Sequence, residues 1–447
     1  MRRIKLIRGL SFFDSVMLGL GFLIGSGIFI MPLLMAQAAG TYSLVALLIA
    51  GIYTILTGFC FAEAAAKLPK AGGLYSYAHQ AFGNFVGFIS GWTFWIGYWI
   101  TIAAEMWAIG YYLQFFFPQL ALLSRVSIAA VVTLFLSFIN YRGVKLTGDV
   151  EDVFTIGKLL PIILFIAVGI FFIQPQNYFP LIPQNVSIVP AVGTAILLAL
   201  WPFLGVEIIT VPEEEIQNAR KTVPKAILIA IATVIVIYVL VTVVFLGVHW
   251  QSFSNSQSPL ADIFSSLTSG YIGAFGGIVI AVGALVSIIG ALNAVILGSS
   301  RISFAMARDR LFPKFFGKLH PKYKTPYLGI LVQTIFALVL AFSLTDFTQL
   351  ATLAVMFTII PYTLSCLAVL RLIKRAKGEK IILQSRIIPV LAVLFSLILL
   401  TQFNFKLQIF GVGLLFVGIL FFVFRKKILK EEISERKYFE KNIFAKK

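Results

Sequence analysis

Residues 21–32 read Gly-Phe-Leu-Ile-Gly-Ser-Gly-Ile-Phe-Ile-Met-Pro, with Gly21, Gly25 and Gly27 set around Ser26 inside an apolar block long enough to cross a bilayer. Glycine costs a helix interior about 1 kcal/mol relative to alanine. The block therefore predicts a helix interrupted near its middle. Residues 201–207, Trp-Pro-Phe-Leu-Gly-Val-Glu, repeat the signal in a later apolar block, because a mid-helix proline removes one backbone hydrogen bond and clashes with the preceding turn. Irregular backbone at membrane depth survives only where protein or a water-filled cavity satisfies it.

The surrounding chain supports a membrane setting. Its 447 residues are 60% hydrophobic and 12% charged, against roughly 25% charged in soluble domains, and mean hydropathy is +0.97. Apolar blocks of about 20 residues alternate with short polar stretches, the length that a helix rising 1.5 Å per residue needs to span hydrocarbon. Twelve spans are predicted, at 11–39, 43–66, 83–117, 124–141, 152–174, 188–212, 225–249, 268–307, 325–344, 347–372, 386–402 and 407–425. Two of them, 83–117 and 268–307, exceed the bilayer and must tilt or continue beyond it, the second through 299–309.

The net charge of +18 would suit a nucleic-acid binder if the basic residues formed a patch. They do not. With twelve spans and a cytoplasmic N-terminus, all of the 36 Lys and Arg except Arg125, Lys406 and Lys158 fall on the cytoplasmic side, as the positive-inside rule requires. The expected location is the cell membrane, multi-pass, with both termini cytoplasmic and no nucleic-acid partner. The first block is too long and glycine-rich for a signal peptide. Cys60 and Cys366 both lie in apolar spans and read as small packing residues rather than a disulfide framework.

The two breaks fall at spans 1 and 6. An offset of five reverses the orientation of the second, which is the signature of an inverted repeat whose discontinuous helices form a site near the midplane. The expected organisation is a cytoplasmic segment 1–10, five-helix repeats 11–174 and 188–372, additional helices within 386–425, and a basic tail 426–447. The fold class is thus an all-α polytopic membrane protein with twelve transmembrane helices in a 5+5 inverted repeat plus two C-terminal helices.

Four motifs in this order resemble the amino acid-polyamine-organocation superfamily: Gly25-Ser26-Gly27-Ile28-Phe29; Pro69-Lys70-Ala71-Gly72-Gly73-Leu74-Tyr75-Ser76-Tyr77; Phe203-Leu204-Gly205-Val206-Glu207; and Ser300-Arg301 with Phe304-Ala305-Met306-Ala307-Arg308-Asp309. Span 3, with Gly91-Trp92-Thr93-Phe94-Trp95 and Ala104-Glu105, is similar to the bacterial and fungal amino acid permease branch. The resemblance implies the leucine-transporter fold and secondary transport of an L-amino acid by alternating access. The chain departs from the family at Asn218-Ala219, where Asn-Pro is more usual, and at Arg310, where Gly is common.

An α-amino acid carries a carboxylate and an ammonium, and a broken helix offers a partner to each. The half-helix after Gly25 aims free N–H groups at an anion, while one ending near Leu204 offers carbonyls to a cation. The resemblance assigns the carboxylate to the backbone at Ser26 and Gly27, and the ammonium to carbonyls near Leu23, Trp201 and Leu204. Gly25, Gly27 and Gly205 would let the ligand approach the backbone; the alternative for the first pair is close helix packing. Trp201 and Phe203 are candidate gating aromatics, with packing as the alternative.

Charges near the bilayer centre cost at least about 2.5–3.5 kcal/mol, so each needs a partner, a cavity or a neutral form. Lys158, Glu105 and Glu207 are accordingly proton-coupling candidates. The resemblance implies that Lys158 replaces a sodium ion, and two roles stay open: a titrating bridge between spans 1, 5 and 8, or a permanent cap on half-helix 1. Glu105 has three possible roles: it takes a proton, pairs with Lys158 or receives a cationic side chain. Glu207 resembles a proton-coupled position, against a local bond to freed backbone. Glu63 and the run Glu213-Glu214-Glu215 read as solvated or, for Glu63, paired with Lys67.

His79, His249 and His320 lack metal-ligand spacing, and no nucleotide or nucleophile motif is present. The expectation is therefore no enzyme, metal or cofactor, with a gradient or counter-substrate as energy source and protons as possible partners. An amino acid exchanger and a cationic amino acid or polyamine carrier are the near alternatives; a channel or a substrate-sensing receptor is the distant one. The substrate and oligomeric state are not fixed by these residues.

Overall fold

In the computed structural model the described residues are 10–68, 72–183, 186–211, 213, 216–375 and 386–444, with side chains described outside 144–153, 156, 372–375 and 426–444. Pro69-Lys70-Ala71, Glu214, Glu215 and the first nine residues, all invoked above, lie outside the described set.

The first block divides as its glycines predict. Helix α1 (Phe12–Leu23) ends at Ile24, and α2 (Gly27–Ala39) begins after Ser26. Ser11 opens α1 with a capping box, its hydroxyl accepting from Asp14 N–H and the Asp14 carboxylate accepting from Ser11 N–H, so that orphan donors at the entry are satisfied reciprocally. Next come α3 (Ser43–Lys67), short α4 (Leu74–Phe82), long α5 (Asn84–Tyr112), α6 (Leu122–Arg142) and α7 (Val144–Gly169). The second broken element comprises α8 (Ile188–Leu200), a 3-10 turn at Trp201–Phe203 and a second 3-10 segment at Val206–Thr210. Then follow α9 (Ala219–Gly247), short α10 (Pro259–Thr268), long α11 (Phe275–Arg308), α12 (Tyr327–Ser343), α13 (Phe347–Arg375), α14 (Ile387–Thr401) and α15 (Phe405–Phe444).

Element lengths therefore recur in the same order: a broken element, a helix, a short helix, a long helix and two more helices. Eight stretches among the described residues are long and apolar enough to cross a membrane, the first running from Phe12 to Lys67 and so containing α1, α2 and α3. Three shorter apolar helices lie at Gly157–Phe172, Tyr327–Ser343 and Ile387–Thr401. The chain is an all-helical integral membrane protein over the described residues.

Two boundaries differ from expectation. The eighth block starts at Phe275 rather than 268, because 259–268 forms its own helix α10. Neither α10 nor α4 is predicted by apolar runs, since ten residues of mixed polarity are too few to register as a span. At the far end, α15 continues past 425 to Phe444, carrying the basic tail on as helix.

Packing sorts the helices into two groups. One places α5 at its centre against α13, α11, α6 and α12; the other packs α3 against α9 and α8, with α1 on α9 and α2 on α8. Polar bonds cross-link the first group: Asn140 Nδ2 donates to Asn293 Oδ1 at 2.9 Å, Ser137 and Thr334 hydroxyls meet at 2.8 Å, and Gln333 Nε2 donates to Ile296 O at 2.7 Å. Cys60 and Cys366 are buried and free. Asn218 and Arg310, where the chain departs from the resembled pattern, both adopt left-handed backbone, φ 48° and 62°.

Candidate functional site

The two breaks meet. An ideal Cβ on Gly27 would lie 2.6 Å from Pro202 Cβ, and one on Gly205 only 1.7 Å from the Phe22 ring. Gly205 also sits at φ 115°, a conformation open to glycine at little steric cost, so this position needs glycine for both backbone and space. Close packing, the alternative reading of Gly27, is thus present together with the break itself.

Each interruption leaves backbone groups outside the helical ladder. The first bonds of α2 run from Phe29 and Ile30 N–H to Ser26 O at 3.1 Å, which leaves the N–H groups of Ser26, Gly27 and Ile28 ahead of the ladder. At the end of α1, side chains take the carbonyls. Lys158 Nζ donates to Gly21 O at 2.5 Å and to Ile24 O at 3.1 Å, and Ser287 Oγ donates to Ile24 O at 2.7 Å. Lys158, on α7 and 0% exposed, thereby links α7 to α1 beside α11, whose Gly290 faces the ammonium. The bonds to Gly21 O and Ile24 O are common to both roles left open above, a titrating bridge between spans 1, 5 and 8 and a permanent cap on half-helix 1.

Tyr238 of α9 joins the breaks directly. Its hydroxyl lies within reach of Leu23 O and of Pro202 O, the latter at 3.0 Å, and can donate to one at a time. Trp201 Nε1 adds a second link, donating to Ser26 Oγ at 3.1 Å. Trp201 O accepts from Leu204 N–H at 3.1 Å.

A small cavity of about 20 Å³ lies at this junction, lined by Phe22, Leu23, Gly25, Gly27, Thr101 and Glu105, with Trp201, Pro202 and Leu204 completing the wall. Glu105 is 4% exposed. Its carboxylate lies against the Ser26 hydroxyl and N–H, while Oε2 has no hydrogen-bond partner among the described residues. Of the residues singled out from sequence, the structure brings Leu23, Gly25, Gly27, Glu105, Trp201 and Leu204 to this cavity, and Ser26 joins its wall through Trp201. Phe203 is not among the lining residues; it packs on Tyr238 with ring centroids 5.3 Å apart.

Glu207 sits apart, beneath Gly205. Its Oε2 accepts from Gly205 N–H at 2.9 Å and from the Tyr362 hydroxyl, and its Oε1 accepts from the Tyr98 hydroxyl at 3.3 Å. The local bond to freed backbone is therefore present, and with it a connection to α5 and α13. Glu213 differs from the solvated reading, and for Glu63 burial removes the solvated alternative while leaving the pairing with Lys67 open. Glu63 is 1% exposed and Glu213 2%, the latter accepting from the Tyr77 hydroxyl. A polar residue beside a membrane helix can turn inward when another element covers it, which a hydropathy reading does not register.

Tyr238, Tyr98, Tyr362, Ser287 and Thr101 escaped the sequence reading. The signal available was weak: a buried tyrosine or serine needs a hydrogen-bond partner, but nothing in a single apolar run names which.

The amino acid permease family profile matches residues 10–424. The chain is 27% identical over 445 residues to the branched-chain amino acid permease BcaP of Bacillus subtilis, covering 95% of this chain and 94% of the relative. It is 29% identical over 408 residues to the methylthioribose transporter of the same organism, covering 87% and 86%, and 33% identical over 375 residues to its serine/threonine exchanger SteT, covering 82% and 83%. With the profile spanning nearly the whole chain, this protein belongs to the amino acid permease family.

Proposed function

We propose that the protein is a secondary transporter that carries an L-amino acid across the cell membrane by alternating access, without sodium and coupled to protons. The observation that carries the reading is the convergence of both helix breaks on one cavity. There the start of α2 presents N–H groups to a carboxylate, and the breaks near Leu23, Trp201 and Leu204 present carbonyls to an ammonium. Ser26 and Gly27 hold the carboxylate in this scheme, the ligand displacing Glu105 from Ser26; Gly25 admits it to the backbone, Gly205, packed against Phe22 and absent from the lining, shapes the second break, and Trp201 gates it. Phe203 acts through Tyr238 rather than on the ligand.

The proposed topology has twelve spans: the 12–67 stretch contributes two, the other long apolar helices seven, and the shorter ones three. Both termini are cytoplasmic, and the repeated order of element lengths supports two five-helix units, 11–174 and 188–372, inverted relative to one another. The proposed motion is a rocking of the α1–α3, α8, α9 group against the group around α5.

Lys158 fills the sodium position in this reading, holding the end of α1 through Gly21 and Ile24 carbonyls. Release of its proton would weaken that hold, whereas uptake of a proton by Glu207, which accepts from both hydroxyls, would release Tyr98 or Tyr362. The test is uptake into proteoliposomes under an imposed pH gradient. Collapsing the gradient should abolish accumulation, and Lys158→Ala should remove the pH dependence. Accumulation that ignores the gradient but is stimulated by internal amino acid would replace proton coupling with exchange, the mode named for SteT.

A second reading, carriage of a cationic amino acid or polyamine, is favoured by one observation: Glu105 Oε2 borders the cavity without a hydrogen-bond partner among the described residues. Competition among labelled alanine, lysine and putrescine separates the two, with loss of lysine uptake alone in Glu105→Gln supporting the second.

A further inference from the structure

A second cavity lies far from the breaks, between the 3-10 turn at Lys314–Gly317 and α15. It is an open groove of about 600 Å³, lined by Lys314, Lys318 and Arg425 together with Phe315, Phe421 and Phe424. Among the described residues, none that lines it is acidic. Arg425 closes the last apolar membrane stretch, Phe405–Arg425, so the cations stand where hydrocarbon gives way to head groups.

The groove has a built floor. Trp92 Nε1 donates to Leu414 O at 3.0 Å, docking α15 on α5. Phe421 stacks on Phe88 and Trp92, with centroids 6.1 and 5.9 Å apart, and contacts Phe312 at 5.8 Å. Beside this floor, Phe424 and Phe315 are 64% and 43% exposed. Two nitrogens of Arg425, Nε and Nη2, are shielded from water and have no hydrogen-bond partner among the described residues. A guanidinium N–H pair is shaped to bind two oxygens of one phosphate, and leaving such donors unmade is unfavourable.

We infer that this groove binds an anionic phospholipid of the adjoining leaflet, its head-group phosphate on Arg425 with Lys318 and Lys314 alongside and an acyl chain against Phe421 and Phe424. Basic pockets between membrane helices characteristically hold anionic head groups. The apolar wall selects a lipid over a free anion, because inorganic phosphate gains nothing from exposed phenylalanines. A bound lipid would bridge the α11–α12 connection to α15, so its occupancy should be visible as stability of the whole chain.

The test is thermal unfolding of the full-length protein in a neutral detergent, titrated with phosphatidylglycerol, with phosphatidylcholine of the same acyl chains, or with inorganic phosphate. Phosphatidylglycerol should raise the midpoint by a few degrees and the other two should not. Each basic residue near an anionic head group is worth about fivefold in affinity, so Lys318→Gln with Arg425→Gln should weaken the phosphatidylglycerol dependence by about 25-fold. Should that double variant fail to fold, Lys318→Gln alone, on an exposed side chain, should weaken it about fivefold. An equal shift with phosphatidylcholine or inorganic phosphate, or an unchanged dependence in the variant, would overturn the assignment.

Discussion

Tyr238 shows how much one hydroxyl can organise. It stands between Leu23 O and Pro202 O, carbonyls belonging to different breaks, while its ring packs on Phe203. Tyr238→Phe keeps the ring and removes only the bridge. Hydrogen bonds between membrane helices average about 0.6 kcal/mol and reach about 1.7, so the variant should lose about 1 kcal/mol of stability and show a raised KM for uptake. Unchanged thermal unfolding together with unchanged KM would mean that the two breaks are held together by packing alone. Gly25, Gly27 and Gly205 were legible in the sequence because glycine in a helix interior is anomalous on its own. Tyr238 and Ser287 were not, because their meaning lies in carbonyls far away along the chain. The same limit applies to Glu213, whose partner Tyr77 lies on a short helix that no apolar run announces.

At the scale of elements, α11 ends in a Schellman motif. Leu311 N–H bonds to Met306 O at 2.8 Å and Arg310 N–H to Ala307 O at 3.1 Å, with Arg310 at φ 62°. The left-handed conformation costs an L-residue about 1–2 kcal/mol and glycine almost nothing, which is the physical reason that glycine is common here in the resembled superfamily. The Arg310 side chain is exposed, so Arg310→Gly removes strain without emptying a packed site. The variant should gain about 1 kcal/mol, a rise in melting midpoint of about 2 °C; a loss of stability would show that the guanidinium makes a compensating contact. The two breaks were readable from glycine and proline positions, whereas this helix end, with Arg310 in the left-handed position, was not. The short α4 and α10 were not, because surrounding helices rather than local composition stabilise them.

For the whole molecule, the distribution of polar bonds matters more than their number. Side-chain bonds such as Asn140–Asn293 and Ser137–Thr334 lie within the group around α5. Bonds between the groups gather at the breaks: Tyr98 and Tyr362 on Glu207, Tyr112 OH to Phe29 O at 2.9 Å, and Ser287 on Ile24. In the proposed mechanism, a few hydroxyls and one ammonium exchange partners at the breaks while the scaffold bonds persist. The membrane character follows from hydropathy; which helices become scaffold depends on side-chain partners that only the folded chain reveals. The central claim is that these two breaks together hold a zwitterion. Its most direct test is a density map of the protein bound to the amino acid selected by a substrate panel. The account predicts the carboxylate within hydrogen-bond reach of Ser26 and Gly27 N–H and the ammonium against carbonyls near Leu23, Trp201 and Leu204. Density for the ligand elsewhere, or a continuous helix through Gly25 or Gly205, would contradict it.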